Sequence, residues 1–468
     1  MVEIKRGLSS AEKGEFYSRL LHLAFPIMLQ NLLNSSVSFV DTLMIGMVSE
    51  SALAAVGLAN QMFFLIAIFF YGVSSSAAIF IAQYWGAGNR ESMHKVMGIA
   101  LLLNLAGALL ATLSSLFFPE LLMKIFTKDP VVIAHGVEYL KVVAISYLFS
   151  SIVLIFFIAL RSTGNAKTPL YVSAFAMGLN IVLNYILILG KFGLPRMEVR
   201  GAALATTIAR GTEVVLTLFF VFKNKHPIAA TLKQYFSFDK ALVKRYLSTG
   251  IPVILNEMFW SLGMTAYKVA FARMGTDVIA SVNVTEAIQG LFFVALMGIS
   301  NASAIMIGNR LGEGQIETSK QYASRLLLSG LVVGTVLGIA LILTSPLLPI
   351  PFNLSAGVLQ MTTYTLVVMG ILVPIKAYNM ILIVGVLRSG GDTRFSMFTE
   401  LAGVWFIGVP LAFIGALVIK MPIYYLYLFL AIEEVFKFVI GMVRIKSGKW
   451  INILVEESPT PSVNLDLT

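Results

Sequence analysis

The chain has 468 residues, of which 58% are hydrophobic and only 12% are charged, and its formal net charge is +10. Globular domains carry about 25% charged residues, so this composition excludes an ordinary water-soluble domain and predicts a polytopic membrane protein. The sequence has no cysteine for disulfide or thiol chemistry, and in a membrane chain the positive charge favours basic cytoplasmic loops over nucleic-acid binding.

Apolar segments long enough to cross a bilayer recur along the whole chain, separated by charged or Gly/Pro-rich breaks. They predict an all-α polytopic membrane protein with twelve transmembrane helices. In chain order the predicted helices are 16–47, 54–84, 94–117, 131–160, 168–190, 201–222, 248–273, 280–310, 322–348, 357–387, 395–418 and 422–445. The longest polar connection, 223–247, is predicted to be a cytoplasmic linker, in which KALVKRYL favours an amphipathic surface helix. The tail 456–468 has a polar composition typical of disorder.

Lysine and arginine are distributed unevenly over the loops that join these helices. With both termini placed in the cytoplasm, most of the 34 Lys and Arg residues fall on the cytoplasmic side. This asymmetry is the one that the positive-inside rule describes. We therefore predict a multi-pass protein of the cell membrane with both termini in the cytoplasm.

The two halves of the chain resemble each other in sequence. FPIMLQNLLNS aligns with IPVILNEMFWS at a shift of 226 residues, which is the separation of Pro26 and Pro252. GVSSSAAIFIAQYWGAGNRE aligns with GISNASAIMIGNRLGEGQIE at the same shift, and LRSTGN aligns with LRSGGD at nearly the same one. Because each repeat has an even number of helices, both have the same orientation in the membrane. We expect a parallel internal repeat of two six-helix lobes, 1–222 and 248–455, that face each other across a cavity.

Six blocks along the chain carry a resemblance to a known family. They are FPIMLQNLLNSSVSFVDTLMIG, ALAAVGLANQ, RSTGNAKTP, LNIVLNYILILGKFGLP, VRGAALATTIAR and VLRSGGDTRFSM. Over nearly its whole length the chain resembles the multidrug and toxic compound extrusion (MATE) transporters. The resemblance implies an alternating-access antiporter that exports organic, usually cationic, compounds in exchange for H⁺ or Na⁺. The expected partners are small-molecule drugs or organic cations and the lipid bilayer, with no nucleic acid, no metal site and no cofactor beyond the coupling ion, and the expected form is a monomer.

Asp41 lies in the apolar part of the first helix, where an ionised carboxylate is costly unless it is paired or hydrated. Burial favours the neutral acid, so this group can hold a proton and release it when water or a cation arrives. The resemblance implies a coupling-ion site made by this acid with Asn180 and Asn184, which share one face of the fifth helix, and with Thr206 of the sixth. A single carboxylate leaves the choice between H⁺ and Na⁺ open. The plain alternatives are an acid wetted at the interface and simple amide packing between helices.

Pro26 interrupts the hydrogen bonding of the first helix and invites a kink there. The resemblance implies a conformational hinge, at which the first helix bends when the amino lobe changes its protonation state. A static kink is the alternative, and Pro252 at the equivalent repeat position supports it.

Glu257 in the seventh helix matches an acid that part of the family uses for cation coupling. That subgroup pairs it with an aspartate in the tenth helix, where this sequence has Ala377 beside Lys376. Glu257 is therefore either a second coupling site or the counter-ion of Lys376 or Lys268.

Two further lysines lie inside predicted helices. Lys376 has three open roles, which are snorkelling, pairing with Glu257, and contacting an anionic substrate in the cavity. In the twelfth helix, Glu433 and Glu434 precede Lys437 by four and three residues, a spacing that predicts a local salt bridge.

The common catalytic motifs HExxH, GxSxG and Walker A are missing from the sequence, and we expect a protein that is not an enzyme. The rival function is a flippase for lipid-linked precursors from the same broad superfamily, which would need a basic cavity. Four cations expected to be buried in helices favour it: Lys141, Arg210, Lys268 and Lys376. The twelve helices and the MATE-like blocks favour the exporter.

Overall fold

The computed structural model describes residues 10–455. Residues 1–9 and 456–468 lie outside the described residues, and so does the prediction that the tail 456–468 is disordered. All twelve predicted helices are confirmed within this range. Their bounds are α1 Ser10–Gly46, α2 Glu50–Gly86, α3 Arg90–Phe117, α4 Pro130–Ser162, α5 Lys167–Leu189, α6 Glu198–Lys223, α7 Lys240–Ala272, α8 Thr276–Gly312, α9 Ile316–Thr344, α10 Ala356–Arg388, α11 Thr393–Val418 and α12 Ile423–Lys446. In the described part, ten of them are long and apolar enough to cross a membrane, the exceptions being α7 and α12.

Short polar side chains at helix starts explain several of the observed boundaries. The side-chain oxygens of Ser49, Asn89 and Asp239 each accept a hydrogen bond from the free backbone N–H groups at the start of a helix. The Asp239 cap, 2.7 Å from the Leu242 nitrogen, starts α7 at Lys240. The separate surface helix expected for KALVKRYL is therefore wrong, because these residues form the first two turns of α7.

At one end of the molecule, each half has its own hydrophobic core. Ile45, Tyr147 and Val199 belong to a core made only of α1–α6 residues and the short helix Pro119–Lys124. Tyr267 and Leu366 belong to a core made only of residues from the carboxy half. Since neither core includes residues of the other half, the two halves pack separately at this end.

At the opposite end, the cores combine both halves. One core joins Phe16 and Leu20 of α1 to Ile305 of α8, and the other joins Val73 of α2 to Tyr246 of α7. The first helix of each half therefore packs on the other half. This joined end contains the start of α1 and the end of α2, which the topology predicted from charge places in the cytoplasm.

Glycines allow the backbones of α2 and α8 to touch at the joined end. A Cβ atom at Gly86 would lie 2.0 Å from the carbonyl oxygen of Asn309, and one at Gly312 would lie 1.9 Å from that of Gln83. Gly86 and Gly312 occupy equivalent positions of the internal repeat. Close helix approach through small residues is typical of membrane proteins, where packing rather than the hydrophobic effect joins the helices.

The segment that follows α12 crosses this joined end. Trp450 is buried in the core shared with α1 and α8. The Asn452 nitrogen donates to the Gly390 carbonyl at 2.7 Å, and the Leu454 nitrogen donates to the side-chain oxygen of Gln83 at 2.8 Å. The segment therefore connects the carboxy half to α2 of the amino half.

Candidate functional site: an acid and two amides in the amino half

Three of the four residues predicted for the coupling-ion site lie together. The Asn184 Nδ2 group donates to Asp41 Oδ1 at 2.5 Å and to Asn180 Oδ1 at 3.1 Å. Asn180 and Asn184 are one helical turn apart on α5 and are only 4% and 1% exposed, while Asp41 is half-buried on α1. The Oδ1 atom of Asn184 is buried and has no partner among the described residues. The cluster therefore presents carboxylate and amide oxygens, which are hard ligands suited to a small cation.

The fourth predicted residue, Thr206, does not join this cluster directly. It is half-buried on α6, and among the described residues its side chain has no hydrogen-bond partner. Its neighbour Thr207 is instead fixed to the backbone of α4, because its hydroxyl donates to the Val142 carbonyl at 3.1 Å. Thr206 lies four residues before Arg210, which attracts the Asp41 carboxylate, so both occupy one face of α6.

Sequence reasoning counted Arg210 only among the cations of a basic cavity and found no role for Glu213, although the structure places both near the cluster. The Arg210 guanidinium lies 2.7 Å from the Glu213 carboxylate, and it also interacts electrostatically with Asp41. Their spacing of three residues on a helix was the signal that could have predicted the pair. Because the charge of Arg210 balances that of Glu213, the three residues Asp41, Arg210 and Glu213 together carry one net negative charge when Asp41 is ionised.

A chain of hydrogen bonds leads from Glu213 towards the joined end. Ser173 donates to Glu213 at 2.8 Å, and Gln30 donates to Ser173 at 2.8 Å. Arg161, at the end of α4, donates to the side-chain oxygen of Gln30. The amino half therefore contains a hydrogen-bonded chain from Arg210 and Glu213 to the joined end, and Arg210 connects it to Asp41 by an electrostatic interaction only.

In the carboxy half, Glu257 is already paired. Its carboxylate accepts from the Arg388 guanidinium at 2.5 Å, and Arg388 is only 3% exposed. The expected partners were wrong: Lys268 lies 2.8 Å from Glu286, and Lys376 is not within salt-bridge distance of Glu257. The partner is Arg388, whose long side chain reaches Glu257 from the end of α10.

Lys376 packs along its own helix, with its Nζ atom 3.9 Å from the Met369 sulfur, and it interacts electrostatically with Glu434. The local salt bridge predicted for Lys437 is confirmed, since its Nζ atom lies 2.6 Å from Glu433. The Glu400 carboxylate is 3.8 Å from the same Nζ atom. The carboxy half therefore holds a buried network of opposite charges.

Two of the cations expected to line a basic cavity are exposed. Lys141 and Lys268 are both exposed, and Lys268 is paired with Glu286. Arg210 is paired as well. Two of the four cations counted in favour of a flippase, Lys268 and Arg210, are therefore compensated by neighbouring carboxylates.

Pro26 lies where α1 leaves the carboxy half. The helix continues through it, and the flanking Ala24 and Ile27 are buried in the shared core. Beyond it, Leu32 and Phe39 are exposed. Asp41 is thus on the part of α1 that lies outside the joined end.

The comparisons with known proteins match the chain in both halves. The MatE family model matches residues 26–186 and 252–414. The probable multidrug resistance protein NorM of Thermotoga maritima is 27% identical over 456 residues, which cover 95% of this chain and 96% of the relative. The multidrug resistance protein MdtK of Edwardsiella ictaluri is 27% identical over 410 residues, which cover 85% of this chain and 87% of the relative.

Solved structures share the fold at lower sequence identity. The bent form of VcmN, a MATE transporter of Vibrio cholerae, has a TM-score of 0.85 at 18% identity and covers 95% of this chain and 100% of its own. A MOP superfamily transporter from Pyrococcus furiosus has a TM-score of 0.82 at 20% identity, with 92% and 96% covered. Since the family model covers most of both halves, the chain belongs to the MatE family, the multidrug and toxic compound extrusion transporters, and has their fold of twelve transmembrane helices in two six-helix lobes.

Proposed function

We propose that the protein is a multidrug efflux antiporter that exports small organic, often cationic, molecules in exchange for H⁺ or Na⁺. The relatives named as multidrug resistance proteins support this function. It acts by alternating access as a monomer in the cell membrane, with both termini in the cytoplasm and no cofactor besides the coupling ion. The separation of the halves at one end and their contact at the other support such a cycle.

The observation that carries the proposal is the contact of Asp41 with Asn184 and, through it, with Asn180. An amide donates a hydrogen bond to the carboxylate but cannot cancel its charge. With Arg210 balanced by Glu213, one monovalent cation or one proton neutralises the cluster. The site is therefore matched in charge to H⁺ or Na⁺.

Binding of the ion shifts the equilibrium between the outward-open and inward-open states through α1. Neutralising Asp41 removes its attraction to Arg210 and weakens its hydrogen bond from Asn184. The outer part of α1 is then free to bend at Pro26, the proposed hinge, where the helix leaves the shared core. The bias can be no larger than the difference in ion affinity between the outward-open and inward-open states.

Thr206 supplies the remaining oxygen of the proposed site. Its hydroxyl lies on the face of α6 that carries Arg210 and has no protein partner in the described residues. A small shift of α1 towards α6 brings it into the coordination shell. Glu257 and Lys376 are not needed in this scheme, because Glu257 is neutralised by Arg388, and this pairing supports a structural role rather than a second coupling site.

The experiment uses proteoliposomes with separately imposed Na⁺ and pH gradients and measures efflux of ethidium. Asp41→Asn should abolish ion-driven efflux while leaving the protein folded, because the amide can neither take up a proton nor neutralise a cation. The matched control is Asp277→Asn, the same chemical change at an exposed position in the first turn of α8. Efflux by Asp41→Asn that equals that of the control would rule out the proposed coupling site.

A further inference from the structure

A small pocket of about 50 Å³ lies between the two halves, next to the joined end. Both halves contribute to its wall: Tyr71 and Ser75 come from α2, Arg161 from α4, Asn301 from α8 and Arg388 from α10. Its volume is well below that of a site for a whole drug-sized molecule, but the pocket has room for a small polar headgroup. It is separate from the Asp41 cluster, which contributes none of its lining residues.

The pocket carries an unbalanced positive charge. Arg388 is paired with Glu257, but the described contacts of Arg161 go to the neutral side chain of Gln30. The Nε atoms of both arginines are buried without a hydrogen-bond partner in the described residues. Since a cation inside a membrane protein is costly unless it is compensated, the two arginines and one glutamate leave one positive charge to be matched.

The internal repeat explains why both arginines meet here. Arg161 in LRSTGN and Arg388 in LRSGGD are equivalent residues at the ends of α4 and α10. The two halves face each other, so equivalent positions at these helix ends line the same space. The Tyr71 side chain interacts electrostatically with Arg161, Arg388 and Glu257, which places its hydroxyl within this charged group.

Guanidinium groups bind carboxylate and phosphate oxygens through two parallel hydrogen bonds. The hydroxyls of Tyr71 and Ser75 add donors beside them. The rest of the wall combines a few neutral polar side chains, such as Asn301, with aliphatic ones that include Ile79 and Val384. The chemistry that fits such a pocket is a single oxyanion headgroup, and the apolar body that carries it would lie outside the pocket, between the two halves.

From these observations we infer that the pocket is an oxyanion subsite, in which Arg161 and Arg388 bind the carboxylate of amphipathic organic acids or zwitterions that the protein exports. The inference rests on the proposed export function and deepens it by naming a class of substrate. Arg161 is the selective group, because its charge is uncompensated. Arg388 orients the anion while it remains paired with Glu257. A phosphate in a lipid headgroup offers the same oxyanion chemistry and is the other source of a ligand.

The test compares two forms of one dye, a rhodamine with a free carboxylate and its methyl ester. Their affinities for the purified full-length protein in detergent are measured by fluorescence anisotropy without any ion gradient. In Arg161→Gln the ratio of acid affinity to ester affinity should fall at least about tenfold, the loss expected for a charge-assisted hydrogen bond. Arg161→Lys keeps the charge but not the two-pronged geometry, and it should recover part of the ratio.

The matched control is Arg273→Gln, which removes the same charge from an exposed position after α7 and should leave the ratio unchanged. An unchanged ratio in Arg161→Gln, or an equal loss for acid and ester, would overturn the inference. Competition by a short-chain phosphatidylglycerol identifies the source of the oxyanion. If the lipid displaces the acid dye from the unmodified protein but not from Arg161→Gln, the subsite takes lipid phosphate. If the lipid does not displace the dye, the subsite takes soluble carboxylates. Because no gradient is used, a failure of ion coupling would leave this result unaffected.

Discussion

In the amino half, the acid on the first helix contacts an amide, whereas in the carboxy half the acid on the first helix contacts a guanidinium. Asp41 accepts from Asn184, and Glu257 accepts from Arg388, both at 2.5 Å. The hydrogen bonds are similar in length, but only the second one cancels the charge. An acid held by an amide still needs a cation or a proton to neutralise it, and this difference is why we propose the amino half as the one that couples to an ion.

The same contrast recurs one residue before Glu257. Gln30 and Asn256 occupy equivalent repeat positions, and each contacts a side chain on the fifth helix of its own half. Gln30 contacts the hydroxyl of Ser173, while Asn256 donates to the carboxylate of Glu400 at 3.1 Å, which lies close to Lys437. At equivalent positions, the amino half thus has an uncharged Gln30–Ser173 contact between Arg161 and Glu213, whereas in the carboxy half the amide directly contacts a carboxylate of the ion network.

The largest effect is expected when each acid is exchanged for its amide. Asp41→Asn should abolish gradient-driven efflux, whereas Glu257→Gln should retain it per folded molecule, because Glu257 is not free to take up an ion. Efflux under imposed Na⁺ and pH gradients, normalised to protein content, measures both. An equal loss of efflux in the two variants would mean that both halves take part in ion coupling, and it would contradict the proposed difference between them.

A second prediction concerns stability in the carboxy half. Lys437→Met leaves the buried carboxylates of Glu433 and Glu400 without their cation, and breaking such a buried group should cost about 3–5 kcal/mol of unfolding free energy. Lys268→Met is the control, because this lysine is 57% exposed and its pair with Glu286 is worth only about 0–1 kcal/mol. Thermal unfolding in detergent would compare them. Similar unfolding temperatures for Lys437→Met and Lys268→Met would mean that the charge network does not stabilise the carboxy half.

The two equivalent prolines allow a matched test of the hinge. Pro26→Ala should slow transport several-fold, because α1 carries Asp41 beyond this point and a restored helix hydrogen bond opposes bending. Pro252→Ala should have a smaller effect, since the acid on α7 is held by Arg388. Initial efflux rates at saturating ion gradients provide the comparison. Equal slowing in both variants would favour two static kinks.

The smallest effect is expected at Thr206. Thr206→Val removes the hydroxyl with little change in shape and should raise the ion concentration for half-maximal efflux about two- to fivefold, the value of one hydrogen bond. Thr207→Val is the control on the neighbouring position, where the hydroxyl bonds only to backbone carbonyls. A larger shift in the control than in Thr206→Val would exclude Thr206 as an ion ligand.

The sequence by itself determined the twelve helices, the internal repeat and the pairing of Asn180 with Asn184 on one helix face. These are local properties, since apolar length decides whether a segment can cross the bilayer and helical spacing decides which side chains share a face. The position of Asp41 in an apolar helix was visible for the same reason. The salt bridge of Lys437 with Glu433 was predictable because its partners are four residues apart.

Only the tertiary structure decided which distant groups meet. Glu257 is closer in sequence to Lys268 than to Arg388, yet Arg388 is its partner because helix packing, rather than sequence separation, brings two side chains into contact. The approach of Arg210 to Asp41 and the convergence of Arg161 and Arg388 on one pocket depend on the packing of several helices. In an apolar medium each charge must find a partner or a ligand, and the fold alone determines which one is within reach.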